Sequence, residues 1–264
     1  MSTSSASYWL WDYGAERRWV KWTIRGLSFL AFFAAWEIVG RSHRIFAIVP
    51  ASKTFVTLGH DLADRSLVDA ALGTLKIAAI GYVLAAIVGL TAGSFVGRSQ
   101  IGRWTVDPLI NVGVVTPMTI LIPVMGVYFG FGARSKVFLV FMFCVFVIAI
   151  NAAAGVAEAP PALLETAKAF GVKRRHLYTK VVFPHALPYI LTGLRLGIGR
   201  AVQGAIIADL LLESGNLGKF LLAAGGTFNM PQLLAGTFFT VVLGASLMLG
   251  ARAVERYLLR WLRV

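Results

Sequence analysis

A single cysteine, Cys144, stands in 264 residues, so no disulfide can close within the chain and no cysteine-based metal site is available. It lies inside an apolar run, where it reads as a small buried hydrophobe rather than a reactive thiol. Charge is scarce as well. Only 14% of residues are charged, and 12 acidic residues face 25 Lys and Arg. A soluble domain carries about 25% charged and about 45–50% apolar residues. Here 58% are hydrophobic and the mean hydropathy is +0.75, which leaves too little polar surface to coat a water-soluble globule. No Gly-x-x-x-x-Gly-Lys-Ser/Thr run occurs. Lys219 follows Gly218 without the first glycine or the hydroxyl residue, so the chain is not expected to hydrolyse ATP. No His-Glu-x-x-His occurs, and His43, His60, His176 and His185 scatter through loops, leaving neither a catalytic nor a metal set. Residues 1–14 contain no basic segment, so the N-terminus does not read as a cleavable signal peptide.

What is present is apolar sequence in long runs. A membrane span needs about 20 mostly apolar residues, and six stretches qualify: Trp22–Gly40, Ala70–Gly97, Pro108–Gly130, Lys136–Val156, Ala186–Leu212 and Leu233–Ala253. The third is expected to be broken by Pro117 and Pro123. The fold class is therefore all-α and polytopic, one transmembrane domain over residues 1–264 with no second soluble domain. The formal net charge of +13 does not point to nucleic acid, because the cations fall in short loops between spans. One set of loops holds Arg17, Arg18, Lys21, Arg25, Arg98, Arg103, Lys168, Lys173, Arg174, Arg175, Lys180, Arg252, Arg256, Arg260 and Arg263. The other holds only Arg41, Arg44, Lys53, Arg65, Arg134, Lys136 and Lys219. The positive-inside rule puts the richer set, residues 1–21 and both termini in the cytoplasm. Tyr8 to Arg18, with Trp9, Trp11 and Tyr13, has the composition of a lipid-surface helix. The segment Arg41–Asp69 is expected to lie along the outer surface.

The internal loop reads EAPPALLETAKAFGVKRRHLYTKVVFPHALP from Glu158. Pro160 and Pro161 suit the first turn of a helix, where their missing N–H groups would have no partner. Leu163, Leu164, Ala167 and Phe170 make an apolar stripe at helical spacing, and Gly171 fits a left-handed C-cap. A second short helix is expected from about Lys173 to Val182, with Pro184 and Pro188 punctuating the return to the membrane. Such a hairpin either rests its cations on anionic headgroups or docks in a partner's groove.

Glu165-Thr166-Ala167, then Gly171, then Pro184, closely resembles the Glu-Ala-Ala loop of permease subunits of ABC importers, with Thr166 at the middle position and a slightly altered spacing to Pro184. Asp107-Pro108-Leu109, Thr192-Gly193-Leu194-Arg195, Gly199-Arg200-Ala201 and Gly215-Asn216-Leu217-Gly218 resemble the nitrate/sulfonate/taurine branch. The resemblance runs from about Trp36 to the C-terminus. It implies a type I importer subunit in a bacterial inner membrane, paired with a second permease copy and fed by an external solute-binding protein. Separate ATPase subunits would carry ATP and Mg, and no cofactor is expected in this chain. Glu165, Thr166, Ala167, Gly171, Arg174 and Pro184 are the candidate ATPase-coupling residues over 158–187. A secondary transporter and a permease for a different small organic solute are the alternatives. An intramembrane enzyme would need a convergent catalytic set that the scattered histidines do not supply.

Gly81, Ala85, Gly89, Gly93 and Gly97 recur every fourth residue of the second span and share one helix face, which favours close packing within the chain over contact between copies. Arg195 and Arg200 fall inside the fifth span, where charge is costly and faces protein or water. They either line an anion path or serve a structural or gating role, and the second reading is preferred. Asp209 lies too far along the same helix to pair with Arg195, so Glu37 or another chain's carboxylate is the candidate partner. Candidate pathway residues are Asn111, Thr116, Met118, Asn151, Arg195, Arg200, Gln203 and Asp209.

Overall fold

A computed structural model describes residues 18–42, 47–212 and 215–260. The Tyr8 to Arg18 surface helix, Arg18 excepted, lies outside the described residues, as do Arg17, Arg44 and Arg263 of the charge pattern. The described chain is helical: α1 (Arg18–Arg41), α2 (Ala51–Ala63), α3 (Ser66–Arg98), α4 (Gln100–Thr105), α5 (Asp107–Val115), a 3-10 turn at Met118–Ile120, α6 (Leu121–Phe129), α7 (Ala133–Ala157), α8 (Pro161–Ala169), α9 (Arg174–Leu177), a π-turn at Tyr178–Val182, α10 (Phe183–Leu211), α11 (Asn216–Gly226) and α12 (Met230–Leu258). Five helical segments are long and apolar enough to cross a bilayer: α1, α3, α7, residues 175–211 and α12. The pair Gln100–Val115 and Met118–Phe129, bent by 86°, makes a sixth span if counted as one.

The core forms where α3, α7 and α10 meet. Ile77, Ala78 and Ala85 pack with Val140, Cys144, Val145 and Ile148, and with Ala201 and Ala205. Cys144 is fully buried as its run predicts, its Sγ donating to the Gly197 carbonyl at 3.3 Å. The glycine stripe of α3 is packed against α7. A Cβ at Gly89 would stand 2.8 Å from the Val145 carbonyl oxygen, and one at Gly97 2.6 Å from that of Ala153. The small-residue face thus lets two backbones touch within one chain.

Pro117 makes the bend in the third span. It offers no N–H to the Gly113 carbonyl, and it pushes Thr116 into the extended region, at φ −70° and ψ 126°. Pro123 does not break the helix as expected. It stands in the first turn of α6, where its missing N–H has no intrahelical partner.

Two other expectations change. Pro184 and Pro188 do not punctuate a return to the membrane, because α9 runs through the π-turn straight into α10. Pro184 has no N–H for the Lys180 carbonyl, and the helix widens so that the Phe183 N–H reaches the Tyr178 carbonyl instead. Glu37 is not a partner for Arg195. It accepts from Arg41 Nε at 2.7 Å, the Ser52 N–H at 3.0 Å and Ser52 Oγ at 2.9 Å, capping the first turn of α2. The Gly215 turn opens a helix, α11, that lies between α10 and α12, with Gly218 against the Asp209 backbone.

Candidate functional site

The 86° bend opens a cavity of about 310 Å³ beside α7 and α10. Thr116, Pro117 and Met118 form one wall, Phe143 and Phe146 of α7 another, and Arg200 and Gln203 of α10 the third. Small residues make the closeness possible: Gly113 lies against the Phe146 ring and Gly204 against Phe143. Thr116 Oγ1 donates to the Val112 carbonyl at 2.7 Å, and Arg200 Nη1 donates to Gln203 Oε1 at 3.3 Å. Among the described residues, no carboxylate forms an ion pair with Arg200. The cavity therefore offers an unneutralised guanidinium, an amide and a hydroxyl within apolar walls.

Of the eight pathway candidates, Thr116, Met118, Arg200 and Gln203 meet here, and four do not. Asn111 donates to the Asp107 carbonyl at 2.9 Å and Asn151 to that of Val147 at 2.7 Å, each closing on its own helix. Arg195 pairs with Glu255 of α12, Nε to Oε2 at 2.6 Å, a charge contact rather than an aligned hydrogen bond. Thr192 Oγ1 also donates to Glu255, at 3.0 Å. Glu255 is the one acidic residue in α12, set between Arg252 and Arg256, and that isolation among cations was the signal available in the sequence.

Asp209 does not line the cavity. Its carboxylate is fully buried, in ion-pair contact with Lys136 Nζ, and it accepts from Thr74 Oγ1 at 2.6 Å and Asn216 Nδ2 at 3.3 Å. Thr74 Oγ1 in turn accepts the Leu217 N–H at 3.1 Å. Four helices, α3, α7, α10 and α11, are tied at one point. Lys136 is thus a buried partner rather than a solvated loop cation, and Thr74 and Asn216 were not among the candidates.

In the loop, Gly171 has φ +70°, and the Val172 N–H reaches the Ala167 carbonyl at 3.0 Å. This is the six-to-one bond of a left-handed C-cap. Glu165 and Thr166 are exposed and Ala167 is half-buried. Thr166 Oγ1 bonds the Ala162 carbonyl at 2.7 Å. Leu163 is 47% exposed and Phe170 81% exposed, so much of the apolar stripe faces outward. Arg174 opens α9 and Pro184 stands in the first turn of α10. The Arg98 guanidinium lies 4.3 Å from the Tyr178 ring centroid, joining the end of α3 to the π-turn.

Residues 77–264 match the family described as binding-protein-dependent transport system inner membrane component. The chain belongs to this family. As a member it is a membrane-spanning permease component of an ABC transport system and not an enzyme; in these systems the ATPase is a separate subunit. The permease is 32% identical over 177 residues to the taurine transport system permease protein TauC of Escherichia coli (strain K12), a match covering 67% of this chain and 64% of that one. It is 30% identical over 232 residues to the putative aliphatic sulfonates transport permease protein SsuC of Bacillus subtilis (strain 168), covering 86% and 83%. Its fold matches an inward-facing structure of the MetNI methionine ABC transporter with a TM-score of 0.62 at 20% identity, over 72% of this chain and 95% of the other.

Proposed function

We propose that this permease chain forms, with a second copy of itself, the path of a small anionic solute of the sulfonate, taurine or nitrate class. A solute-binding protein delivers the solute from outside, and ATPase subunits seated on α8 and the following turn drive its passage. The observation that carries the anionic class is Arg200, a guanidinium on the cavity wall that hydrogen-bonds the neutral Gln203 and, among the described residues, forms no ion pair with a carboxylate. In the bilayer interior such a charge faces protein or water, and a planar guanidinium suits a sulfonate or nitrate oxygen pair.

The continuous helix supplies the mechanism. Residues 175–211 form one 37-residue segment, so Arg200 rides on the same rod that begins at the loop. From Arg175 the rise to Arg200 is about 38 Å at 1.5 Å per residue. When the ATPase pair closes on nucleotide, α8 and its neighbours, Glu165, Thr166, Ala167, Gly171 and Arg174, move as a rigid body. The rod, entered past Pro184, carries that motion to the cavity. ATP and Mg stay on the ATPase.

Reconstituted with its partners in vesicles, Arg200→Gln is expected to raise the KM for an anionic solute about tenfold or more, the loss of a charged hydrogen bond. Insertion and ATPase retention should be unchanged. Unaltered uptake would refute the anionic reading.

The cytoplasmic placement of both termini is tested by labelling. Asp61 is buried and accepts from Gln232 Nε2 at 3.2 Å, so exposed Lys53 is the better external probe. The Asp61 carboxyl is pushed above the usual carboxylate range, chiefly by burial. With Cys144 buried and silent, Lys173→Cys is expected to react with an impermeant thiol reagent only from the cytoplasm. Lys53→Cys should react only from outside. Reaction of both from one side would overturn the topology.

A further inference from the structure

A groove of about 930 Å³ runs between α3 and α7, with walls that are largely apolar. On α3 its floor steps through Ile80, Leu84 and Val88, one stripe at four-residue spacing, and Phe141 of α7 stands opposite. Its mouth is basic. Lys76 and Arg134 both line it, both side chains are exposed, and among the described residues no carboxylate forms an ion pair with either. Neighbouring Lys136 is held by buried Asp209.

The two cations stand at one level. α3 has 33 residues, about 50 Å of helix, against a hydrocarbon core of about 30 Å. Its first turns therefore project, and Lys76 reaches the headgroup layer. Arg134 is the second residue of α7, whose N-terminus lies at the same end of the bundle. From Lys76 to Val88 the floor extends about 18 Å, slightly more than the depth of one leaflet.

We propose that this groove binds one phospholipid with an anionic headgroup, its phosphate between Lys76 and Arg134 and an acyl chain along Ile80, Leu84, Val88 and Phe141. Two unneutralised cations above an apolar slot complement an anionic headgroup and its tail. A two-fold contact of two copies with its axis at this mouth would instead set like charges against each other. The inference rests on the membrane-spanning fold and not on the identity of the solute.

The test uses the full permease with its ATPase partner in micelles holding equal phosphatidylglycerol and phosphatidylcholine, with retained lipid counted by native mass spectrometry. The wild type is expected to retain phosphatidylglycerol preferentially. Lys76→Gln with Arg134→Gln should lower that preference about thirty-fold, and each single change about fivefold. Leu84→Trp, which fills the slot, should expel the lipid whatever its headgroup. Equal retention of the two lipids by the wild type would overturn the proposal, as would a preference that survives removal of both cations. A Leu84→Trp variant that keeps its lipid but separates the two copies would also overturn it, by giving the groove to a copy–copy contact.

Discussion

Asp209→Ala is expected to destabilise the permease by about 3–5 kcal/mol, the usual consequence of removing one member of a buried ion pair. The Lys136 side chain is 1% exposed and Asp209 is 0% exposed, so water does not take over the lost contact. The same change withdraws the acceptor used by Thr74 and Asn216, loosening α3 and α11 from α10 together. Folded complex recovered in detergent should fall sharply, and the surviving fraction should unfold at lower denaturant. Pairing Asp209→Leu with Lys136→Met should restore most of the stability, because an apolar replacement of a buried pair is often neutral. A lone Asp209→Ala variant as stable as the wild type would show that the buried contact contributes nothing to the fold.

Gly171→Val is expected to lower solute uptake at least tenfold while insertion and yield stay near wild type. At φ +70° a β-branched side chain costs about 1–2 kcal/mol. Nothing lies within 4 Å of the position, so the effect is backbone strain and not a clash. Strain of that size frays the end of α8 and weakens the Val172 to Ala167 bond without unfolding a helical bundle. The misplaced α8 would then seat badly on the ATPase. Gly171→Asn, which tolerates the left-handed region, should keep most uptake. Parallel pull-down of the ATPase separates docking from expression. Normal uptake by the valine variant would mean that the loop rests on lipid and transmits no force.

The six apolar runs, the basic flanks, the glycine stripe and the Gly171 cap were all legible because each is set by neighbours in sequence. Hydrophobicity over 20 residues decides burial in a bilayer, a four-residue repeat decides a helix face, and a glycine ends a helix through its own φ. The Pro117 bend was legible for the same reason. Pro123 was misread because a proline's effect depends on its place within a turn, and that place is known only once the helix start is fixed.

The charged groups obeyed no such local rule. Arg195 found Glu255, Asp209 found Lys136, and Glu37 found Ser52 and Arg41; only the last lies within a helical turn. A buried charge takes whichever opposite charge the packing brings to it. The approach of α12 to α10, and of α7 to α10, is a property of the assembled bundle. The sequence by itself determined an all-helical membrane protein, the location of its spans and a capped loop outside them. Which polar residues face the cavity and which are spent holding helices together was decided only when α3, α7 and α10 packed, because desolvation lets no charge in the bilayer stay indifferent to what stands beside it.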